Sequence, residues 1–322
     1  MNNYNFLQKQ LHLITLGNRL IKKSLFEIEK NIFLKKDNLN NSEHIFITGL
    51  PRSGTTSLLN FFYSTSEYAS FTYGDMPFIL APNLFSKFSK NKKIEKKERI
   101  HNDGILYNQN SPDSFDEVLF LTLNDNDAMN NYTNLISLIL RKYNKNKYLS
   151  KNNNNYKRIK KILAKFPNSS ILIPYRNPLQ HANSLISQHL LFSEKQKSDY
   201  FILQYMNLLG HFEFGNNHKS WFKPVEYNNF NEINYWIEQW YLFYTYLRND
   251  LSYKNSNIFF INYENLCRDN SSKKKLLDKF NIKKETEFNF IFSEKEIKHN
   301  FDKGLLYKCN ETYKRLSQNS LI

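Results

Sequence analysis

The stretch His44-Ile45-Phe46-Ile47-Thr48-Gly49-Leu50-Pro51-Arg52-Ser53-Gly54-Thr55-Thr56-Ser57-Leu58-Leu59-Asn60-Phe61-Phe62 passes from an apolar, β-branched segment through a glycine-bounded turn into a helical pattern. It reads as strand, tight loop and helix N-terminus. Gly49 and Gly54 stand five positions apart, a spacing at which backbone N–H groups of a loop and of the first helical turn converge on an anion. The helix dipole adds to that attraction. A loop that grips a nucleoside triphosphate carries Lys directly after its second glycine, to reach the β- and γ-phosphates. Thr55 fills that position here, and the cation within the loop is Arg52. The sequence predicts a phosphate cradle and argues against kinase or GTPase chemistry.

Composition sets the outer limits. The 322 residues can bury a full core and suit one large α/β domain with insertions. The formal net charge of +15 points to an anionic ligand or polymer. Asn, Lys, Ile, Phe and Tyr are abundant throughout, so this global excess weighs less than charge at a defined site. No zinc-finger, helix-turn-helix or RNP signature accompanies it, and nucleic acid is not an expected partner. Cys267 and Cys309 are isolated, without metal or redox spacing. No secretory pattern and no membrane-spanning apolar run is read, which gives the expectation of a soluble cytoplasmic protein with, at most, peripheral membrane contact through a basic N-terminal helix.

Along the chain, Leu7, Leu11, Leu20, Leu25, Ile28 and Ile32 suggest an amphipathic helix or helix pair over 6–36. The expected organisation is a helical segment at 1–43 packing on a main domain at 44–322. The Lys-rich stretch 87–99 reads as a solvated helix face. Ser111 and Pro112, followed by acids, read as a helix cap and first position. A helix is expected over 129–142, and the Lys/Asn-rich 144–155 segment reads as a loose surface turn. Residues 170–175 form a predicted strand, with Asn177 and Pro178 opening a helix to 191. An aromatic helix over 236–247 and a strand over 257–263, leading to a helix near Glu264, complete the pattern. Strands alternating with helices imply a parallel sheet with ligand at the strand C-terminal ends.

The segment Gly-Leu-Pro-Arg-Ser-Gly-Thr-Thr at 49–56 resembles the 5′-phosphosulfate loop of sulfotransferases that use 3′-phosphoadenosine-5′-phosphosulfate (PAPS). Its Pro-Arg form is nearer the tyrosylprotein and bacterial branches than the cytosolic branch. Further along, Arg176 and Ser184 stand eight apart in Tyr-Arg-Asn-Pro-Leu-Gln-His-Ala-Asn-Ser-Leu, similar to the family's 3′-phosphate clamp. Tyr263 in Asn-Tyr-Glu-Asn-Leu resembles the family strand end whose Tyr lies near the adenine. The resemblance implies a three-layer α/β sandwich with a central parallel sheet and a P-loop-like sulfotransferase fold. It also implies that Arg52, Ser53, Gly54, Thr55, Thr56, Ser57, Arg176, Ser184 and Tyr263 bind PAPS, with Arg52 stabilising charge on the bridging oxygen and no metal required.

The expected reaction moves a sulfuryl group to a hydroxyl or amine, with a glycan or glycolipid sugar as acceptor. Asp75, 23 residues after Arg52 and two before Pro77, resembles the position of the catalytic Glu in the tyrosylprotein and glycan branches, with His101 and Glu117 in reserve. The alternatives are a small-molecule kinase of the P-loop type and a non-catalytic PAPS-binding protein.

Overall fold

The computed structural model describes residues 4–35, 39, 42–86, 95–101, 104–123, 126–223, 225–251, 256–283 and 286–322. Most of the Lys-rich stretch read as a helix face, 87–94, lies outside the described residues. In chain order the strands are β1 (Ile45–Ile47), β2 (Tyr68–Ala69), β3 (Lys97–Glu98), β4 (Leu106–Tyr107), β5 (Lys147–Lys151), β6 (Ser170–Tyr175) and β7 (Ile258–Asn262). The helices are α1 (Phe6–Gly17), α2 (Arg19–Phe33), α3 (Thr55–Ser64), α4 (Glu117–Thr122), α5 (Ala128–Tyr143) and α6 (Ile159–Lys165). After them come α7 (Pro178–Ser198), α8 (Tyr200–Leu209), α9 (Ile233–Leu251), α10 (Tyr263–Arg268), α11 (Asn270–Lys279) and α12 (Lys303–Gln318).

The strand periodicity of two sorts the sheet into faces. Phe46, Tyr148, Ile171 and Ile173 join one core with residues of α5, α7 and α9, whereas Ile45, Ile47, Leu149 and Leu172 join a second with residues of α3 and α11. Helices on both faces make three layers. The five main strands run in the order β2-β5-β1-β6-β7 and all their pairings are parallel. β3 and β4 form a small antiparallel pair. From β1 the chain moves out to β2, returns to β5 and then crosses to β6 on the other side, so β1 lies at the point where strand order reverses. Such a point is where open parallel sheets bind ligands.

Local signals act as read at several junctions. Asn177 Oδ1 accepts from the N–H groups of Leu179 and Gln180, both at 3.1 Å, and Pro178 takes the first turn of α7. Phe243 and Leu247 of α9 are fully buried, each such side chain contributing about 1.5–3 kcal/mol.

Three readings are corrected. The 144–155 segment is no loose turn: it supplies β5, and Tyr148 and Leu149 are fully buried. Its asparagines finish the strand end, with Asn152 N–H donating to Ile47 O at 3.0 Å and its amide donating to Glu117 at 2.9 Å. No helix starts at Ser111: Pro112 bridges Thr72, and α4 begins only at Glu117. The acids read as first-turn residues have other partners. Tyr73 and the Ser114 N–H donate to Asp113, and Tyr132, Tyr148 and Ser150 donate to Asp116. At the N-terminus two helices form, yet Leu7, Leu11, Leu20, Ile28 and Ile32 are exposed, while Leu16, Phe26 and Glu29 are buried. Glu29 selects the docked face, accepting from the N–H groups of Asn83 and Leu84 at 2.7 and 2.9 Å. Among the described residues, no helix is long and apolar enough to cross a membrane.

Candidate active site

The C-terminal ends of β1, β5, β6 and β7 border one cavity of about 1010 Å3. At its first end lies the loop between β1 and α3. Arg52 and Gly54 adopt left-handed backbone angles, φ 68° and 101°. A Cβ on Gly54 would meet the Tyr263 ring at 2.1 Å, so only glycine fits. Gly54 caps α3 without a side-chain hydrogen bond, leaving first-turn N–H groups available to a ligand. Behind the loop, the Ser53 hydroxyl donates to Leu50 O at 2.7 Å. His181 Nε2 lies 2.8 Å from the Pro51 carbonyl, which can only accept, so the imidazole donates. Burial pushes His181 down to about 3 and keeps it neutral.

Two distant motifs meet here. Arg52 Nε donates to Ser184 Oγ at 3.3 Å, and Arg176 donates to the carbonyls of Arg52 at 3.2 Å and Ser293 at 2.9 Å. Arg176 Nε is buried without a hydrogen bond among the described residues, 3.9 Å from Glu264 Oε1. The guanidinium sits 5.7 Å from the centre of the Tyr263 ring, whose hydroxyl donates to Ser57 Oγ at 3.2 Å. Arg52, Gly54, Thr55, Thr56, Ser57, Arg176, Ser184 and Tyr263 all line the cavity; Ser53 faces away from it. The uncapped helix, the unsatisfied Arg176 Nε and the side-chain-free Gly54 suit a nucleotide carrying two separated anionic groups.

The expected bases are placed differently from one another. Asp75 lines the cavity, but its side chain is fully buried and its oxygens are occupied. Lys142 Nζ lies 2.5 Å from Oδ1, while Oδ2 accepts from the Thr72 N–H, the Thr72 hydroxyl and Tyr143 at 2.7, 3.2 and 3.1 Å. His101 lines the same cavity, its ring edge-on to Phe192 at 5.0 Å. Glu117 is not among the lining residues; Arg158 grips both its oxygens, at 2.9 and 2.7 Å.

Five cavity residues escape sequence reading: Asp113, Lys151, Asn153, His211 and Glu213. Lys151 ends β5 directly beside Ile47 of β1, and would have been found had the Lys/Asn run been read as a strand. Burial would raise the Asp113 carboxyl, but Lys151, Arg99 and the Tyr73 hydroxyl hold it below its ordinary value. Burial likewise opposes ionisation of Glu213, and His211 with Lys151 overrides it, bringing the carboxyl down to about 2. His211 moves the other way: burial disfavours its charge, yet the Glu213 carboxylate raises it.

A strand-to-helix loop bounded by Gly49 and Gly54 at the switch point of a parallel sheet, joined by an Arg–Ser pair from the next strand unit, defines an α/β protein of P-loop-like fold. The sequence profile of the Sulfotransferase family matches residues 44–283, and the chain belongs to that family. Similar solved structures are sulfotransferases. STF9 from Mycobacterium avium has 10% identity and a TM-score of 0.47, with 99% of this chain and 80% of that chain covered. STF1 from Mycobacterium tuberculosis H37Rv has 11% identity and a TM-score of 0.46, covering 98% and 87%. The sulfotransferase domain from the curacin biosynthetic pathway has 16% identity and a TM-score of 0.40, covering 77% and 76%. No curated protein sequence matches the chain significantly.

Proposed function

We propose that the protein transfers a sulfuryl group from PAPS to a hydroxyl or amine of a carbohydrate acceptor. The observation that carries this reading is the meeting of Arg52 with Ser184 and of Arg176 with the loop carbonyl, which joins two anion-binding motifs at one end of one cavity. PAPS, when bound, supplies an activated sulfuryl group whose departure leaves charge on the 5′-phosphate. First-turn N–H groups and hydroxyls of Thr55, Thr56 and Ser57 hold that phosphate, Arg52 neutralises the charge that develops, and Arg176 with Ser184 binds the 3′-phosphate. Tyr263 offers an aromatic face to the base. Fixed donors of this kind need no reorganisation as charge moves.

The carbohydrate assignment is supported by other residues of the cavity wall. Asp113, Glu213, Asn108 and Asn153 line the cavity together with the rings of Tyr73 and Tyr107, a mixture of acceptors and aromatic faces suited to a polyol. Asp75 is the base expected from its position, and to serve it would have to release Lys142. Incubation with PAPS carrying radiolabelled sulfate and a panel of methyl glycosides tests the reading. Labelled sugar that disappears in Arg52→Ala supports it. Label transferred only to amines or phenols would replace the acceptor, and label that never leaves PAPS would point to a non-catalytic binding protein.

A further inference from the structure

Helix α8 ends in a glycine-terminated turn: Gly210 is left-handed at φ 77°, its N–H donates to Asn207 O at 3.1 Å, and the His211 N–H donates to Met206 O at 2.9 Å. That turn fixes His211 as the chain leaves the helix. The following loop is pinned to α7, with Gly215 N–H donating to His189 at 3.3 Å and Asn216 N–H to Gln196 at 2.7 Å. His211 and Glu213 are thereby held side by side in the cavity wall, with Nδ1 3.4 Å from Glu213 Oε1. The imidazole remains about a quarter exposed (26%), and no hydrogen bond reaches its Nε2 among the described residues.

The pair is also tied to the phosphate cradle. The Asn153 amide donates to Glu213 Oε1 at 3.3 Å, and the Thr48 hydroxyl, at the mouth of β1, donates to Asn153 O at 3.3 Å. Asn153 lines the cavity, and its buried Oδ1 has no hydrogen-bond partner among the described residues. A second hydroxyl of the acceptor, donating to this oxygen, would satisfy it.

We propose that His211, oriented by Glu213, is the general base that takes the proton of the acceptor hydroxyl, with Asn153 Oδ1 binding a neighbouring acceptor hydroxyl. The inference rests on the sulfotransferase reading above. His211 Nε2 removes the proton while the acceptor oxygen uses a lone pair to form the new O–S bond. The sulfur–oxygen bond to the 5′-phosphate breaks, its electron pair leaves on that phosphate, and the imidazolium proton then passes to water. Glu213 stabilises the imidazolium, and charge shortens the Nδ1 contact at that moment. Asp75 lacks an equivalent open site, because its oxygens already carry Lys142 and three other donors.

The groups facing His211 are Glu213 from its own loop, Lys151 from β5 and Asp113 from the segment before α4, with Lys157 beyond Glu213. The base is active when neutral, so turnover rises with pH through the imidazole transition. Removing the Glu213 charge in Glu213→Gln shifts that transition to lower pH and slows turnover. Three measurements test this: thermal shift with 3′-phosphoadenosine-5′-phosphate, release of that nucleotide from PAPS with water or glycerol as acceptor, and NMR titration of the His211 ring. His211→Gln should retain the nucleotide shift, which also reports folding, and lose about 10²–10⁴-fold in release. The His211 ring should titrate above 6.5 in the intact protein and lower in Glu213→Gln. Unchanged release in His211→Gln, an unmoved titration in Glu213→Gln, or no release from a protein that binds the nucleotide overturns the proposal. Failure of the intact protein to bind the nucleotide instead overturns the sulfotransferase reading beneath it.

Discussion

Two sets of residues in the cavity wall are built in different ways. The groups proposed to bind nucleotide come from short contiguous motifs at strand ends: 49–57 after β1, Arg176 to Ser184 after β6, and Tyr263 after β7. For the proposed acceptor groups, Asp113 and Glu213 sit in irregular segments, Lys151 ends β5 with Asn153 just after it, and His211 follows α8. A phosphate needs backbone N–H groups and a cation near a helix start, which a few adjacent residues can provide. A sugar needs convergence from several directions, which only tertiary structure provides. The proposed nucleotide groups can therefore be picked out from sequence, whereas the proposed acceptor groups come together only once the chain is folded.

The carboxylates sharpen the contrast. Asp75 is committed to Lys142 inside the wall, whereas Glu213 orients an imidazole that faces the cavity. Lys142→Ala should produce the largest stability loss, about 3–5 kcal/mol in urea unfolding, by leaving a buried carboxylate unpaired. The companion Asp75→Asn keeps the shape: lost turnover with retained stability would restore Asp75 as base and erase the contrast. Next, Arg52→Ala should slow transfer about 10²–10³-fold, as loss of a fixed donor to developing charge does. An effect on nucleotide affinity alone would move Arg52 from the chemistry to the binding set.

The acid dependence of stability probes Glu213 by itself. Its folded carboxyl lies near 2 against an ordinary 4.5, so its contribution is full above 4.5 and lost as pH falls through about 2. In Glu213→Gln this part of the acid destabilisation should vanish, flattening the curve by about 1–3 kcal/mol between those limits. An unchanged acid limb would show that the His211 pairing is absent in solution. The smallest effect is expected from Ser184→Ala: about 1 kcal/mol of nucleotide affinity, the worth of one hydrogen bond, with turnover at saturation preserved.

Sequence reasoning succeeded where local chemistry decides structure. Asn177 and Pro178 start α7 as their types require, and 170–175 is an unbroken apolar strand. It failed at 144–155 because Tyr148, Leu149 and Ser150 hide between lysines and asparagines, and burial against Asp116 and β1 outweighs a polar composition. That failure concealed Lys151 and Asn153. The exposed Leu7, Leu11 and Leu20 show the same limit, since periodicity marks an apolar stripe while Glu29, bonded to Asn83 and Leu84, selects which side packs.

The central claim is the nucleotide site, and a thermal-shift titration with 3′-phosphoadenosine-5′-phosphate beside ATP plus Mg²⁺ tests it most directly. A ligand at 100 times its Kd stabilises by about 2.7 kcal/mol. The account predicts a shift of that size with the 3′-phosphorylated nucleotide, abolished by Arg176→Ala, and little with ATP. A shift with ATP and Mg²⁺ alone would contradict it.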